Sequence, residues 1–165
     1  MQNDPPGLKL DRYTELPMAA IGECPVLSKC FAAWKAGRAG GKIPAAMDMS
    51  LVPEEALPYT MLLDYLPERR DVHVRIAGNY VGERAHFGSS IRGLRGFFND
   101  TDAGIVFDSL VRIAETGEPS LARRDYVTID GHRYGYTRLI LPLSADGRTV
   151  TGFFKTIEPA TLVIA

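Results

Sequence analysis

Two stretches of the chain carry apolar residues at helical spacing. After Pro25, which suits the first position of a helix, Leu27, Cys30, Phe31 and Trp34 follow at i, i+3, i+4 and i+7. The second stretch begins at residues 99–101, any of which can cap a helix, and Gly117 ends it. Its buried stripe is predicted to contain Val106, Leu110, Ile113 and Ala114. The pattern therefore predicts two amphipathic helices.

Apolar and polar residues alternate or cluster in five other stretches, as is typical of strands. These are residues 61–66, 72–76, 121–129, 132–141 and 149–157. Asp130-Gly131 between two of them is typical of a two-residue hairpin turn, so the last three strands should form an antiparallel meander. We expect an α+β fold in which about five antiparallel strands are covered on one face by helices.

The same signals divide the chain into segments. Residues 1–41 are predicted to form an N-terminal arm and an additional N-terminal amphipathic helix, and residues 42–58 a linker rich in proline and acidic residues. Residues 59–159 should form the core, with residues 160–165 as a C-terminal tail. Within the core, the glycine-rich residues 79–98 favour short helical turns over a sheet.

Charge and length narrow the class of protein. The chain has 165 residues, enough for one globular domain, and 19 Lys plus Arg are balanced by 20 Asp plus Glu. This balance argues against nucleic acid or a membrane surface as partner. No apolar run approaches the roughly 20 residues of a membrane span, and the amino end lacks the pattern of a secretion signal. We therefore expect a cytoplasmic protein.

Cysteine and histidine positions predict no metal site. Cys24 and Cys30 are six residues apart on one helix, so they are expected to be free thiols. The three histidines, His73, His86 and His132, lack the short paired spacing of zinc ligands. The sequence also contains neither a Gly-x-Ser-x-Gly elbow nor a His-Glu-x-x-His pair.

Several short motifs accompany this order of elements. They are Trp34, Ile43-Pro44, Asp48, Leu57-Pro58, Val-Arg-Ile-Ala-Gly at 74–78, Gly88, Gly93, Thr-Gly-Glu-Pro at 116–119, Arg-Leu-Ile-Leu-Pro-Leu-Ser at 138–144, and Asp146-Gly147. Together they resemble a bacterial family of PAS-like single-domain proteins with the PAS fold. The chain departs from that family where Ala45, Ala46 and Met47 lie, because the family tends to carry an arginine there.

The resemblance implies a non-catalytic sensory or regulatory domain in signal transduction. Its sheet and helices would enclose a small cavity or present a face to another protein. PAS domains bind haem, flavin, organic acids or nothing detectable, so the cofactor and ligand stay unknown at this point.

Two neighbouring strands carry the strongest candidate ligand-binding residues. Arg124 and Tyr126 share one face of the first strand, and Tyr134, Tyr136 and Arg138 share one face of the second. Arginine offers a planar fork to a carboxylate, and tyrosine adds an apolar ring with a hydroxyl group, so this face can form an anion pocket. The alternative is that it is the solvated side of the sheet.

His86 is the candidate for a haem ligand or another ligand contact, with a surface histidine as the alternative. Flavin attachment through cysteine is disfavoured because both cysteines lie upstream of the short-helix region.

Two other functions are kept as alternatives. A small enzyme for proton transfer would use Asp64, Asp125, His132 or Tyr136. A protein-interaction module would instead use Phe31 and Trp34 on the leading helix to meet a second copy of the chain or a signalling partner. The apolar stripe of that helix can equally pack on its own sheet.

Overall fold

The structure, a computed structural model, describes residues 8–78, 93–128 and 131–164. In these ranges one antiparallel sheet of seven strands combines with two α-helices and short 3-10 turns into an α+β fold. The strands are β1 Leu8–Leu16, β2 Met61–Leu66, β3 Asp71–Ala77, β4 Ser120–Thr128, β5 Arg133–Leu143, β6 Gly152–Ile157 and β7 Val163–Ile164. The helices are α1 Pro25–Ala36 and α2 Asp100–Thr116. The strand order is β1-β4-β5-β6-β2-β3, with β7 paired to β5.

The sheet has seven strands where about five were expected, and the first described element of the chain is a strand and not a helix. β1 lies within the segment predicted to be an arm, and β7 lies within the tail. β1 pairs with β4 from Leu8↔Thr128 to Leu16↔Leu121. Backbone hydrogen bonds to β4, a strand far along the chain, hold β1 in the sheet. The sequence of β1 itself shows little of the apolar alternation that would predict a strand. The chain thus begins its described fold with a strand, and α1 comes after it.

Helices cover both faces of the sheet, which corrects the expectation of one covered face. Alternate residues of β5 point to opposite sides, so Ile140 joins the core that contains α2, whereas Leu139 joins the core that contains α1. In β6, Phe153 and Phe154 divide in the same way. The central strands are therefore buried on both sides.

The longer predicted helix is confirmed as α2. The Asn99 side chain accepts a hydrogen bond from the Asp102 N–H at 2.8 Å, which caps the first turn. Gly117 ends the helix with a φ of 67°, a left-handed conformation that favours glycine. Val106, Leu110 and Ile113 are buried as the stripe predicts. Local sequence is sufficient to specify this element.

α1 is attached to the far face of the sheet by long-range polar contacts. Glu158, just after β6, accepts hydrogen bonds from the Val26 and Leu27 N–H groups at 2.9 and 3.1 Å. Trp34 Nε1 donates to the Pro142 carbonyl of β5 at 2.8 Å. Three residues of segment 42–58 join the same core, namely Met47, Val52 and Ala56.

Some sequence predictions concern residues that the structure does not describe. Most of the glycine-rich segment predicted to form short turns, residues 79–92, lies outside the described ranges, and so does the first half of the turn predicted at residues 130–131. The described end of that segment forms a 3-10 turn, Leu94–Gly96. In the ranges that are described, helices long and apolar enough to cross a bilayer are absent.

Candidate functional site

A cavity of about 80 Å³ lies between α2 and the sheet. It has several times the roughly 10–15 Å³ that one water requires, and it is smaller than the ~150 Å³ cavity known to hold benzene. Most of its walls are apolar side chains. The described lining residues are Tyr59, Met61, Leu63, Val72, Val74, Leu94, Phe97, Phe98, Val106, Leu110, Arg124, Tyr126, Tyr134, Tyr136, Ile140, Lys155 and Ile157.

A row of polar groups crosses the floor of this cavity. Lys155 Nζ donates to Tyr136 Oη at 3.2 Å, and Tyr136 Oη donates to Tyr126 Oη at 3.2 Å. Arg124 Nη1 donates to Tyr126 Oη at 3.4 Å. The row runs across β6, β5 and β4 because strand pairing places Arg124 opposite Tyr136 and Lys155 opposite Ile140. Sheet register therefore brings two cations and two phenols together.

Arg124 is almost completely buried, with 2% of its surface exposed, and it has no ion pair with any described residue. Its Nη2 donates to Ser109 Oγ at 3.4 Å, a long hydrogen bond, and its Nε has no partner. The guanidinium also lies over the Tyr13 ring at 5.0 Å. Aromatic and hydroxyl contacts satisfy this charge only in part, because none of them supplies a negative charge.

Lys155 is the second cation of the cavity. Burial, together with the nearby Arg124 and Arg138, lowers its pKa to about 8, although Tyr126 acts in the opposite direction. Burial, with Tyr136 as a further cause, raises the pKa of Tyr126 to about 12. At neutral pH the lysine is therefore mainly charged and the phenol keeps its proton. Neither a carboxylate nor an imidazole occurs among the described lining residues.

Arg138 lies on the same face but outside the cavity lining. Its Nη1 donates to the Ser120 carbonyl at 2.8 Å and to Ser120 Oγ at 2.9 Å, and its Nη2 donates to Tyr13 Oη at 2.7 Å. Glu15 approaches Nη2 at 3.6 Å. Burial, followed by Arg124, lowers the pKa of Arg138 to about 9. Arg138 thus joins β1 to the body of the sheet.

Comparisons of the chain with family models, curated proteins and solved structures found no match. The chemistry of the cavity is therefore the basis on which its function is inferred.

The structure brings four of the six predicted ligand-binding residues into one cavity wall. Arg124, Tyr126, Tyr134 and Tyr136 are all buried there, so this face of the sheet is covered and not solvated. The fifth, Arg138, is the buried neighbour just described. His86 lies outside the described residues.

Sequence reasoning missed Lys155. It alternates with Phe153 and Ile157 along β6, and all three residues face the α2 side. Phe154 on the opposite side is also buried, so both faces of the segment carry apolar residues and the lysine interrupts the apolar residues of the α2 face. A lysine among such residues was the available signal for a functional cation.

The residues predicted to form an interface lie on the opposite side of the sheet from the cavity. Trp34 is only 1% exposed and packs inside its own chain, while Phe31 is half-buried and stacks on it at 6.2 Å. The stripe on α1 therefore packs on its own sheet, which is the use that the sequence had left open.

The residues considered for proton transfer are dispersed. Asp64 pairs with His73 at 3.2 Å and with Arg75, and Asp125 pairs with Arg123 at 3.0 Å. Neither carboxylate lines the cavity. His132 is exposed, and Tyr136 alone of this group lies in the cavity wall. Clusters of three or more metal-ligating side chains are absent from the described ranges.

Proposed function

We propose that this chain is a non-catalytic PAS-like sensory or regulatory domain that binds a small molecule between α2 and the sheet. The observation that carries the proposal is the row of polar groups in an otherwise apolar cavity, in which Arg124, Tyr126 and Tyr136 are buried and Lys155 is half-buried. Ligand sites combine apolar walls with a few convergent polar groups in this way.

The arrangement of the core strands supports the PAS-like part of the proposal. β2 and β3 precede α2, and the meander β4-β5-β6 follows it. β6 then pairs with β2, so the two halves of the core join into one sheet with α2 across its face. This order, together with the motifs at 116–119 and 138–144, agrees with the resemblance to PAS-like proteins.

The chemistry of the lining favours binding over catalysis. Its polar groups are two cations and tyrosine hydroxyls, which hold and orient a ligand. General acid–base catalysis most often uses a histidine, which the described lining lacks, and a lysine or tyrosine serves less often. The described carboxylates considered for that role are instead paired with arginines away from the cavity.

A connection from the cavity to the edge of the sheet supports the regulatory part. The Tyr13 ring on β1 lies 5.0 Å from the Arg124 guanidinium and 5.6 Å from that of Arg138. A ligand that changes the position of Arg124 would therefore change the packing of β1. This strand is the outermost strand on its side of the sheet, where such a change is accessible to another protein.

Native mass spectrometry of the full chain, compared with its denatured mass, tests the proposal. We expect a retained or added small molecule that is lost when Val106→Phe fills the cavity. Val163→Phe, at an exposed position outside the cavity, is the matched control and should keep the ligand. If a metabolite library yields no compound whose binding is lost in the filled variant, the proposed function is wrong.

A further inference from the structure

Positive charge in and beside the cavity exceeds negative charge. Arg124, Arg138 and Lys155 lie on three neighbouring strands, and Arg124 is close enough to contribute to the lowered pKa of both Arg138 and Lys155. Glu15 is the nearby carboxylate, and it pairs with Arg138 at 3.6 Å and with Arg112 at 3.8 Å. Among the described residues this leaves Arg124 and Lys155 without a counter-ion.

Burial of these two charges is energetically unfavourable, above all for Arg124, which is 2% exposed, whereas Lys155 is half-buried. Burying a charge is costly unless an opposite charge and hydrogen bonds accompany it. Arg124 has an unpartnered Nε and two hydrogen bonds of 3.4 Å, so its donors are available for shorter bonds. An anion from solution would supply what the protein itself does not.

The remaining walls define the rest of the ligand. Away from the polar row, the cavity is lined by aliphatic and aromatic side chains such as Leu63, Val74, Val106 and Ile140. These aliphatic side chains would remove a compact apolar group from water and offer no hydrogen bond to a second polar group. The cavity volume of about 80 Å³ limits that group to a short chain.

We propose that the cavity binds a small carboxylate with a short apolar body. The carboxylate would lie between Arg124 and Lys155, where the Tyr126 and Tyr136 hydroxyls can also donate to it. A planar carboxylate matches the guanidinium fork, whereas inorganic phosphate would leave the apolar walls unfilled. This inference rests on the proposed function and specifies its ligand class.

Titration of the full chain with butyrate, butyramide, 1-butanol and inorganic phosphate, followed by ligand-observed NMR, tests the ligand class. The three organic probes share one propyl chain and differ in charge. We expect butyrate to bind roughly tenfold or more tightly than the amide and the alcohol, as charge-assisted hydrogen bonds predict. Phosphate should bind more weakly than butyrate.

Three variants locate the binding. Arg124→Gln and Lys155→Gln should each weaken butyrate binding roughly tenfold or more while leaving butanol binding unchanged. Arg123→Gln is the matched control, because Arg123 precedes Arg124 on β4 but pairs with Asp125 outside the cavity. It removes the same charge and should leave butyrate binding unchanged. If Arg124→Gln does not fold, the lysine variant still decides the result.

The possible outcomes separate the inference from the proposed function. Equal binding of the three organic probes overturns the carboxylate class but leaves a small-molecule site. Phosphate binding as tight as that of butyrate overturns the apolar body. If none of the four probes binds, but another compound binds the wild type and not the Val106→Phe variant, only the ligand class is wrong. If no compound binds at all, both proposals are wrong.

Discussion

Arg124 and Arg138 are both buried on the same face of the sheet, yet their contacts differ in kind. Arg138 donates to Ser120 and Tyr13 at 2.7–2.9 Å and lies near Glu15, whereas Arg124 has long hydrogen bonds and no carboxylate. The first arrangement is typical of a structural arginine. The second is typical of a group held in place for a ligand.

These contacts predict opposite effects on stability in the ligand-free protein. Arg138→Met should lower the free energy of unfolding by about 1–3 kcal/mol, because it leaves buried acceptors without a donor. Arg124→Met should leave it unchanged or raise it, because an uncompensated buried charge is replaced by an apolar chain. Urea denaturation measures both values. An equal loss in the two variants would contradict a ligand-binding role for Arg124.

The lowered pKa of Lys155 predicts that both the free energy of unfolding and the affinity for butyrate depend on pH. Its pKa is lowered from an ordinary 10.5 to about 8, by burial first and by Arg124 and Arg138. Above pH ~8 the lysine keeps its proton in the unfolded chain but loses it in the folded chain. The contribution of Lys155 to the free energy of unfolding therefore rises as the pH increases through this range. Butyrate affinity should fall over the same range because one of the two cations is lost. Tyr126, whose pKa burial raises to about 12, keeps its proton over this range.

The measurement compares wild type with Lys155→Met between pH ~7 and pH ~9, by urea denaturation and by butyrate titration. The variant should lose both trends. A wild-type affinity for butyrate that stays constant over this range would show that the lysine does not contact the carboxylate.

At the same scale, the sequence indicated most of the candidate site. Period-two alternation placed Arg124 with Tyr126, and Tyr134 with Tyr136, on shared faces. It did not show whether that face is covered, because alternation is the same for a solvated face and for one beneath a helix. Lys155 escaped prediction because buried phenylalanines on both faces of β6, Phe153 and Phe154, obscure the alternation that would assign the lysine to the cavity side.

At the scale of elements, Glu158 is expected to hold the first turn of α1. Its carboxylate accepts from two N–H groups that have no partner within the helix, and the residue is buried. Glu158→Ala should therefore lower the free energy of unfolding by about 1–3 kcal/mol. Glu158→Gln should recover part of the loss because its amide oxygen can still accept a hydrogen bond.

Chemical denaturation of the two variants measures these effects. Glu118→Ala is the matched control, since the Glu118 side chain is largely exposed and its contact with Arg38 is 3.7 Å. It should change the free energy of unfolding by less than about 0.5 kcal/mol. If Glu158→Ala behaves like this control, the cap does not stabilise α1.

The two helices and β1 show which elements a sequence can specify alone. α2 has a cap at Asn99, an apolar stripe and a terminal glycine within one continuous segment, so local signals were sufficient. β1 has none of these, and it is held by pairing with residues more than a hundred positions away. The contact between Glu158 and α1 could not be predicted from the sequence either, because nothing about a single glutamate after a strand indicates that it binds a helix far along the chain.

For the whole molecule, the pattern of elements predicted the α+β class, but it did not predict that one helix packs on each face of the sheet. The amphipathic stripe of α1 showed that a partner surface was needed without showing where it lies. Burial of both faces of β5 settles this, since Ile140 packs under α2 and Leu139 under α1. The sheet is thus a central layer that separates the cavity from the Trp34 core.

That arrangement makes Trp34 a reporter of events across the sheet. Its Nε1 donates to the Pro142 carbonyl on β5, the strand that also carries Tyr136 and Arg138 on its cavity side. A carboxylate that contracts the polar row would shift β5 and with it the hydrogen bond of the indole. We expect saturation with butyrate to change the emission of Trp34, the only tryptophan of the chain.

Fluorescence titration of the full chain measures this coupling, and the emission change of Arg124→Gln should require a roughly tenfold or more higher butyrate concentration, in line with its weaker binding. The emission change should follow the same binding curve as the NMR titration, because one event causes both. Binding that is complete by NMR while the emission stays constant would show that β5 does not transmit occupancy to α1. The change would then have to leave the cavity through Tyr13 on β1 or Ser109 on α2, which also contact Arg124.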